Sequence, residues 1–294
     1  LDAEDTVTTL RREDILAVEE PLQIRLSALA DPRHPGTEST RDLTVTMRTP
    51  GHDFDLVTGF LLAEGIIRGA SDVAMMRYCA GEDADGQQTF NVIDVTLAAG
   101  VPLPPASAER QVLTTSACGI CGTTSIDDVR KALDGRVGRQ AESDDFRVSL
   151  TSLLAMPDHL RPAQSLFERT GGVHAAGAFT AYDGVVEAVC VREDVGRHNA
   201  VDKVVGWAAR EGRLPWRDAV LQVSGRASFE LVQKAAMAGM PVLAAVGAPS
   251  SLAVELADEV GLTLVGFSRG TSCNVYTHPE DRKSTRLNSS HPQL

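Results

Sequence analysis

Apolar positions near the start of the chain recur with a period of two. Leu22, Ile24 and Leu26 share one face of a strand, and Leu43, Val45 and Met47 share another against Thr44, Thr46 and Arg48, which predicts an antiparallel sheet. After TPGHD the period becomes helical, with Phe54, Val57 and Leu61 on one stripe, Asp53 and Asp55 in the first turn and Gly65 placed to stop the helix. A third strand crosses Phe90 to Leu97. Pro102, Pro104 and Pro105 then break any regular element, and they mark a seam between a small N-terminal α+β domain, residues 1–110, and the rest.

Beyond the seam, a CxxC loop and connecting helix occupy 111–140, and strands alternate with helices over 141–280. GAFTAYDGVVEAVCV reads as two strands joined at Asp183-Gly184, a strong hairpin signal. Ala200, Val201, Val204, Val205 and Ala208 form the buried stripe of a helix closed by Gly212. Strands near 219–223, 242–246 and 262–267 are separated by helices near 228–238 and 251–260, with Gly239 and Gly261 where each helix stops. This order predicts an α/β fold with a parallel sheet and helices packed on it. There is no internal repeat of solenoid length.

Composition narrows the setting. The 294 residues are 43% hydrophobic, enough to bury a substantial core, and no apolar run is long enough to span a bilayer. The sequence does not open on a charged start followed by an apolar stretch of secretory type, and a start at Leu1 implies a missing beginning. A net charge of -12 argues against wrapping nucleic acid, so a nucleotide has to be gripped locally. Five cysteines, only two of them close together, form no disulfide framework and fit a reducing cytoplasm.

Chemistry concentrates in the loops. SGRAS (224–228), GAPSS (247–251) and FSRGTS (267–272) all follow strand ends, where open parallel sheets bind ligands. Helix starts near Ser228 and Ser251 offer backbone N–H groups to an anion, and Arg226 and Arg269 add bidentate phosphate contacts. Each loop alone also fits a common helix cap with turn glycines; three at equivalent ends of one sheet favour a phosphate-bearing small molecule. REDVGRHNAVDK (192–203) reads either as a solvated charge run or as a site in which Asp194 and His198, four apart, orient one another. His174, after paired glycines, begins the hairpin; a lone histidine beside apolar residues is more often a satisfied core group than a ligand.

TTSACGICGTTS (114–125) holds the one close cysteine pair, Cys118 and Cys121. A structural zinc site needs two further paired ligands, and Cys79, Cys190 and Cys273 stand singly, so no zinc is expected. The spacing suits a redox pair, but Gly119 and Gly122 give a loop and the hydroxyl neighbours offer no apolar packing, which favours an exposed, nucleophilic thiol pair. Ser125 and Asp128 form a capping box, so both cysteines approach a helix N-terminus. Such an end supplies roughly 0.3–1 kcal/mol, less than one pKa unit, so activating the thiol needs a further cation or donor.

The segments MRTPGHDFDLVTGFLLAEGII, TTSACGICG, TGGVHAAGAF, REDVGRHNAVDKVVG and GLTLVGFSRGTSCNVYTHPE, with SGRASFELVQKAAMAGMPVLAAVGAPSS between the last two, resemble the FdhD family of formate dehydrogenase accessory sulfurtransferases. The resemblance implies a cytidine-deaminase-like three-layer α/β/α main domain and a homodimer. It implies sulfur taken as a persulfide from a cysteine desulfurase and passed to the molybdenum or tungsten bis-guanine-dinucleotide cofactor that formate dehydrogenase receives. Cys118 is then the persulfide carrier and Cys121 its partner or relay. Phe267, Ser268, Arg269, Gly270, Thr271 and Ser272 belong to the cofactor site, with Ser224, Gly225, Arg226, Ser250, His174 and His198 as the remaining candidate contacts, and GDP-like nucleotides as ligands of the same site. Deaminase chemistry itself is not expected, because HAA after Val173 puts Ala176 where that reaction needs a glutamate. A thiol-disulfide oxidoreductase and a non-catalytic cofactor chaperone are the alternative functions. The final DRKSTRLNSSHPQL, 281–294 of it, is polar and aperiodic and reads as a non-native or disordered tail.

Overall fold

The computed structural model describes residues 12–28, 40–82, 88–104, 146–182 and 184–279. The CxxC loop, its connecting helix and the C-terminal tail lie outside the described residues.

The N-terminal sheet has the order β2-β1-β4-β3, with β1 at Glu20–Ala28, β2 at Arg41–Arg48, β3 at Val73–Glu82 and β4 at Gln88–Leu97. It is mixed and not purely antiparallel: β1 runs parallel to β4 and antiparallel to β2. Leu22, Ile24 and Leu26 are buried on one face as their alternation predicts. The prediction for β2 is overturned, since Arg48 is 1% exposed and Val45 is 38% exposed. The cause is a bulge: Ile24 pairs with Thr44 but Arg25 pairs with Asp42, so Leu43 is the extra residue and the phase of β2 inverts after it. Arg48 is buried with its charge met by Asp53 at 3.1 Å and Glu20 at 3.2 Å. Helix α1, Asp53–Ala63, follows as its periodicity predicts.

The second sheet has the order β10-β9-β8-β7-β5-β6. β5 (His174–Tyr182) and β6 (Val185–Asp194) form the predicted antiparallel hairpin. β7 (Val220–Val223), β8 (Val242–Ala245) and β9 (Thr263–Arg269) run parallel, and β10 (Ser272–Val275) adds an antiparallel edge strand, so the sheet is parallel only in its centre. Helix α2 (Leu150–Leu160) covers one face, packing Leu153, Met156 and Leu160 on Phe179, Val220 and Val265. After the short α3 (Ser165–Thr170), helices α4 (Arg197–Arg210), α5 (Phe229–Met237) and α6 (Ser251–Glu259) cover the other face, giving three α/β/α layers. Gly239 and Gly261 follow α5 and α6 with φ of 73° and 71°, the left-handed conformation that ends a helix.

One apolar cluster joins the two sheets. Leu56, Val57, Leu61 and Leu62 of α1 lie in the same core as Val201, Val204 and Val205 of α4. The two helices cross at glycines. A Cβ on Gly59 would stand 2.0 Å from the Asp202 carbonyl oxygen, and one on Gly206 would stand 1.8 Å from that of Asp55. Among the described residues no helix is long and apolar enough to cross a membrane.

Candidate functional site

The carboxyl ends of β7 and β8 do not part where the strands end. Val246 N–H donates to the Val223 carbonyl at 3.1 Å, Gly247 N–H to Gly225 at 2.9 Å, and Ala227 N–H to Ala248 at 3.3 Å. SGRAS and GAPSS therefore leave the sheet as one hydrogen-bonded ribbon before each turns into its helix. Phe267 N–H donates to the Gly247 carbonyl at 3.1 Å, which ties FSRGTS to the same ribbon. On the other side, Ser224 N–H donates to the Ala175 carbonyl and its Oγ accepts from Ala175 N–H, both at 2.9 Å. The half-buried His174 lies beside Gly225, where a Cβ would be 3.5 Å from the ring Nδ1.

Three sheet ends and the start of α4 thus bring His174, His198, Ser224, Gly225, Arg226, Ser250 and Phe267 to one edge. Arg226 and Arg269 are exposed there, and the Arg269 guanidinium lies over the Phe267 ring at 5.9 Å. FSRGTS is not a loop: β9 continues through Arg269, Gly270 and Thr271 make the turn, and Ser272 opens β10 opposite Arg269. Phe267 carries a φ of 52°, unusual for a residue with a side chain. Ser268 is fully buried, and its hydroxyl has no partner among the described residues.

One sequence reading at this edge is overturned. Asp194 does not orient His198. It ends strand β6, three residues before α4 starts at Arg197, so the helical spacing of four does not apply to the pair. The carboxylate instead meets Lys203 Nζ at 2.7 Å, Gly196 N–H at 2.8 Å and Thr49 N–H at 3.1 Å, a buried structural assembly. The helices start near Ser228 and Ser251 as expected: Ser228 stands at the N-cap of α5 with extended backbone but makes no side-chain cap, whereas Ser250 caps α6 by accepting from Ala253 N–H at 3.3 Å.

The group that takes both Ser228 and His198 is Glu230, which sequence reasoning passes over. Its position in the first turn of α5 looks like an ordinary acid at a helix start. His198 Nε2 lies 2.9 Å from Glu230 Oε2 and 3.2 Å from Ser228 Oγ, and the serine hydroxyl donates to Glu230 Oε2 at 3.1 Å. Burial pushes the His198 ring below its ordinary pKa in spite of the carboxylate, so it is neutral at pH 7. Burial alone would raise Glu230, but the hydrogen bonds from His198 and Ser228 outweigh it and leave the carboxyl below its ordinary range. His174 is also lowered, by burial and then by the charge of Arg197. The edge therefore combines exposed cations with neutral rings, suited to a ligand that is anionic at one end and polar at the other. No cluster of three or more metal-binding side chains occurs among the described residues.

The FdhD/NarQ family model matches residues 17–283. The chain belongs to the FdhD/NarQ family. It is 55% identical to the sulfur carrier protein FdhD of Nocardia farcinica over 268 residues, covering 91% of this chain and 88% of that one. With the protein of the same name from Mycolicibacterium paratuberculosis it shares 53% identity, covering 92% and 93% of the two chains. A crystal structure of a candidate formate dehydrogenase accessory protein from Desulfotalea psychrophila has the same fold, with a TM-score of 0.62 at 24% identity over 92% of this chain and 91% of that one.

Proposed function

We propose that this chain is a cytoplasmic sulfur carrier that serves formate dehydrogenase, with Cys118 as the persulfide-bearing residue. The observation that carries the reading is the 55% identity, across nine-tenths of the chain, with a protein named for sulfur carriage. Among the described cysteines, Cys190 suits the role poorly, because burial pushes its thiol up to about 12 and leaves almost no thiolate at neutral pH.

In this reading the Cys118 thiolate attacks the outer sulfur of a cysteine desulfurase persulfide. The donor S–S bond breaks, a Cys118 Sγ–S bond forms, and the donor departs as a thiolate. Release as sulfide balances if the Cys121 thiolate then attacks Cys118 Sγ, forming the Cys118–Cys121 disulfide and expelling hydrosulfide. The substrate that receives the sulfur is the molybdenum or tungsten bis-guanine-dinucleotide cofactor of formate dehydrogenase. The ribbon of SGRAS and GAPSS with FSRGTS supports a crevice for its nucleotide ends, Arg226 and Arg269 taking phosphate. A homodimer with a cytidine-deaminase-like main domain completes the proposal.

Incubation with a cysteine desulfurase and cysteine, followed by intact-mass measurement, is expected to add sulfur that dithiothreitol removes and that Cys118→Ala abolishes. No added mass sinks persulfide carriage. Loss of two hydrogens with turnover of a thiol partner identifies an oxidoreductase instead, and formate dehydrogenase activity surviving alanine at both cysteines identifies a chaperone. For the crevice, GDP at about a hundred times its Kd stabilises a single-site binder by roughly 2.7 kcal/mol, a readable rise in Tm, and Arg269→Ala is expected to remove most of it. An unchanged response places the nucleotide elsewhere.

A further inference from the structure

Ser228 departs from the other serines at helix N-caps. Ser149 and Ser250 cap α2 and α6 with their side chains, at 3.0 Å to Ser152 N–H and 3.3 Å to Ala253 N–H. Ser228 has the same position and a similar extended backbone, and forgoes a contribution of about 1 kcal/mol to its helix. Its hydroxyl and the His198 ring both converge on one oxygen of Glu230, Oε2, while Oε1 is buried without a partner among the described residues. A carboxylate only accepts, so the nitrogen facing it at 2.9 Å must carry the proton. Nδ1 is then the bare nitrogen of the ring, and no described residue bonds to it.

We propose that Glu230 is a positioning residue for the ligand crevice: with Ser228 it fixes the His198 proton on Nε2 and leaves Nδ1 as the ring's free acceptor. This deepens the nucleotide reading above and rests on it for the identity of the ligand. An acceptor cannot bond a phosphate oxygen, so His198 takes an N–H or O–H group, as on a guanine base or a ribose. The exposed Arg226 and Arg269 take the phosphates. The crevice is thereby polarised, and a nucleotide enters it in one direction. The ionisable groups that act on the ring are Glu230 and Lys234 from α5, Arg197 from its own helix and His174 from β5.

Two measurements on the full-length protein test this. In histidine ¹H–¹⁵N spectra near neutral pH, wild-type His198 is expected as a neutral ring protonated on Nε2, and Glu230→Gln is expected to turn it into a mixture of tautomers. In binding measurements, Glu230→Gln is expected to weaken GDP and guanosine by the same factor, roughly three- to tenfold for one hydrogen bond, and to leave inorganic pyrophosphate unchanged. Where Glu230→Gln fails to fold, Ser228→Ala removes one arm of the assembly and should produce the same pattern more weakly. A wild-type ring protonated on Nδ1, or pyrophosphate weakened as much as GDP, overturns the proposal. If wild type binds neither GDP nor pyrophosphate, the nucleotide reading falls, and the tautomer of His198 still decides the role of Glu230.

Discussion

Lys203 and Asp194 are each at most 1% exposed and meet at 2.7 Å. Two charges so deeply buried persist only when their remaining valences are filled. Lys203 Nζ also donates to the Thr49 carbonyl at 2.9 Å and to the Glu193 carbonyl at 3.3 Å, while Asp194 accepts from Thr49 N–H, Gly196 N–H and Asn199 Nδ2. The pair therefore fastens the segment before α1 to the start of α4. Lys203→Met is expected to cost about 3–5 kcal/mol by leaving the carboxylate unpaired, read as a lowered urea midpoint with an unchanged slope. Asp194→Asn with Lys203→Met should cost less than the sum of the two single changes; strict additivity would show that the residues do not act as a unit. From the sequence these residues read as a charge run at a helix start. What the run hides is that Asp194 is on a strand and Lys203 points inward, and neither fact is expressed in local spacing.

The crossing of α1 and α4 is the tightest contact between elements. Periodicity finds both helices, because each has an apolar stripe, yet it treats Gly59 and Gly206 as mere weak points. Their role becomes visible only with the partner backbone in place, less than a side chain away. Gly206→Ala must push α1 outward, since the obstacle is a backbone carbonyl and not a flexible side chain. Overpacking of this kind costs at least 1–3 kcal/mol, and a lowered Tm in calorimetry is the expected result. Strand β3 escapes the sequence for the opposite reason: it exposes large apolar side chains, with Met75 at 51% and Tyr78 at 37%, so it has no clean alternation. Helix α4 also carries a pH signature, in its contact with α5. Burial raises Asp202 to about 6, with Lys234 at 2.6 Å only partly opposing it. A raised carboxyl pKa means that the folded state holds the proton more tightly than the unfolded chain. Stability from this group is therefore fully present below about pH 4 and lost as pH rises through about 6, on the order of 3 kcal/mol. Wild type should lose stability relative to Asp202→Asn by that order between those limits in denaturant titrations across pH; a flat difference would show that Asp202 titrates alike in both states.

At the scale of the molecule, the prolines at 102 and 104 mark where regular structure stops. They carry no information about which faces later meet, because contacts between segments a hundred residues apart leave no trace in local pattern. The core shows the consequence. Leu56, Val57, Leu61 and Leu62 of α1 are at most 1% exposed, in one cluster with Ala200, Val201, Val204 and Val205 of α4. Polar ties follow the same boundary: Asp55 meets Arg192 at 3.2 Å and Arg210 at 2.6 Å, and Gln233 Nε2 donates to the Ala63 carbonyl at 2.9 Å. At about 1.5–3 kcal/mol for each large apolar side chain fully buried, the α1 stripe alone accounts for on the order of 10 kcal/mol, comparable to the whole stability of a typical domain. A fragment of residues 146–279 would also leave Asp55, the carboxylate partner of both Arg192 and Arg210, behind. It is expected to lack a cooperative unfolding transition and to bind a hydrophobic dye, although every strand of the second sheet is present. A dispersed amide spectrum with a sharp thermal transition from that fragment would show that the edge carrying His198 and Arg226 is built by the second sheet alone. The expected loss instead means that the N-terminal sheet and α1 hold α4, and through it His198, in place.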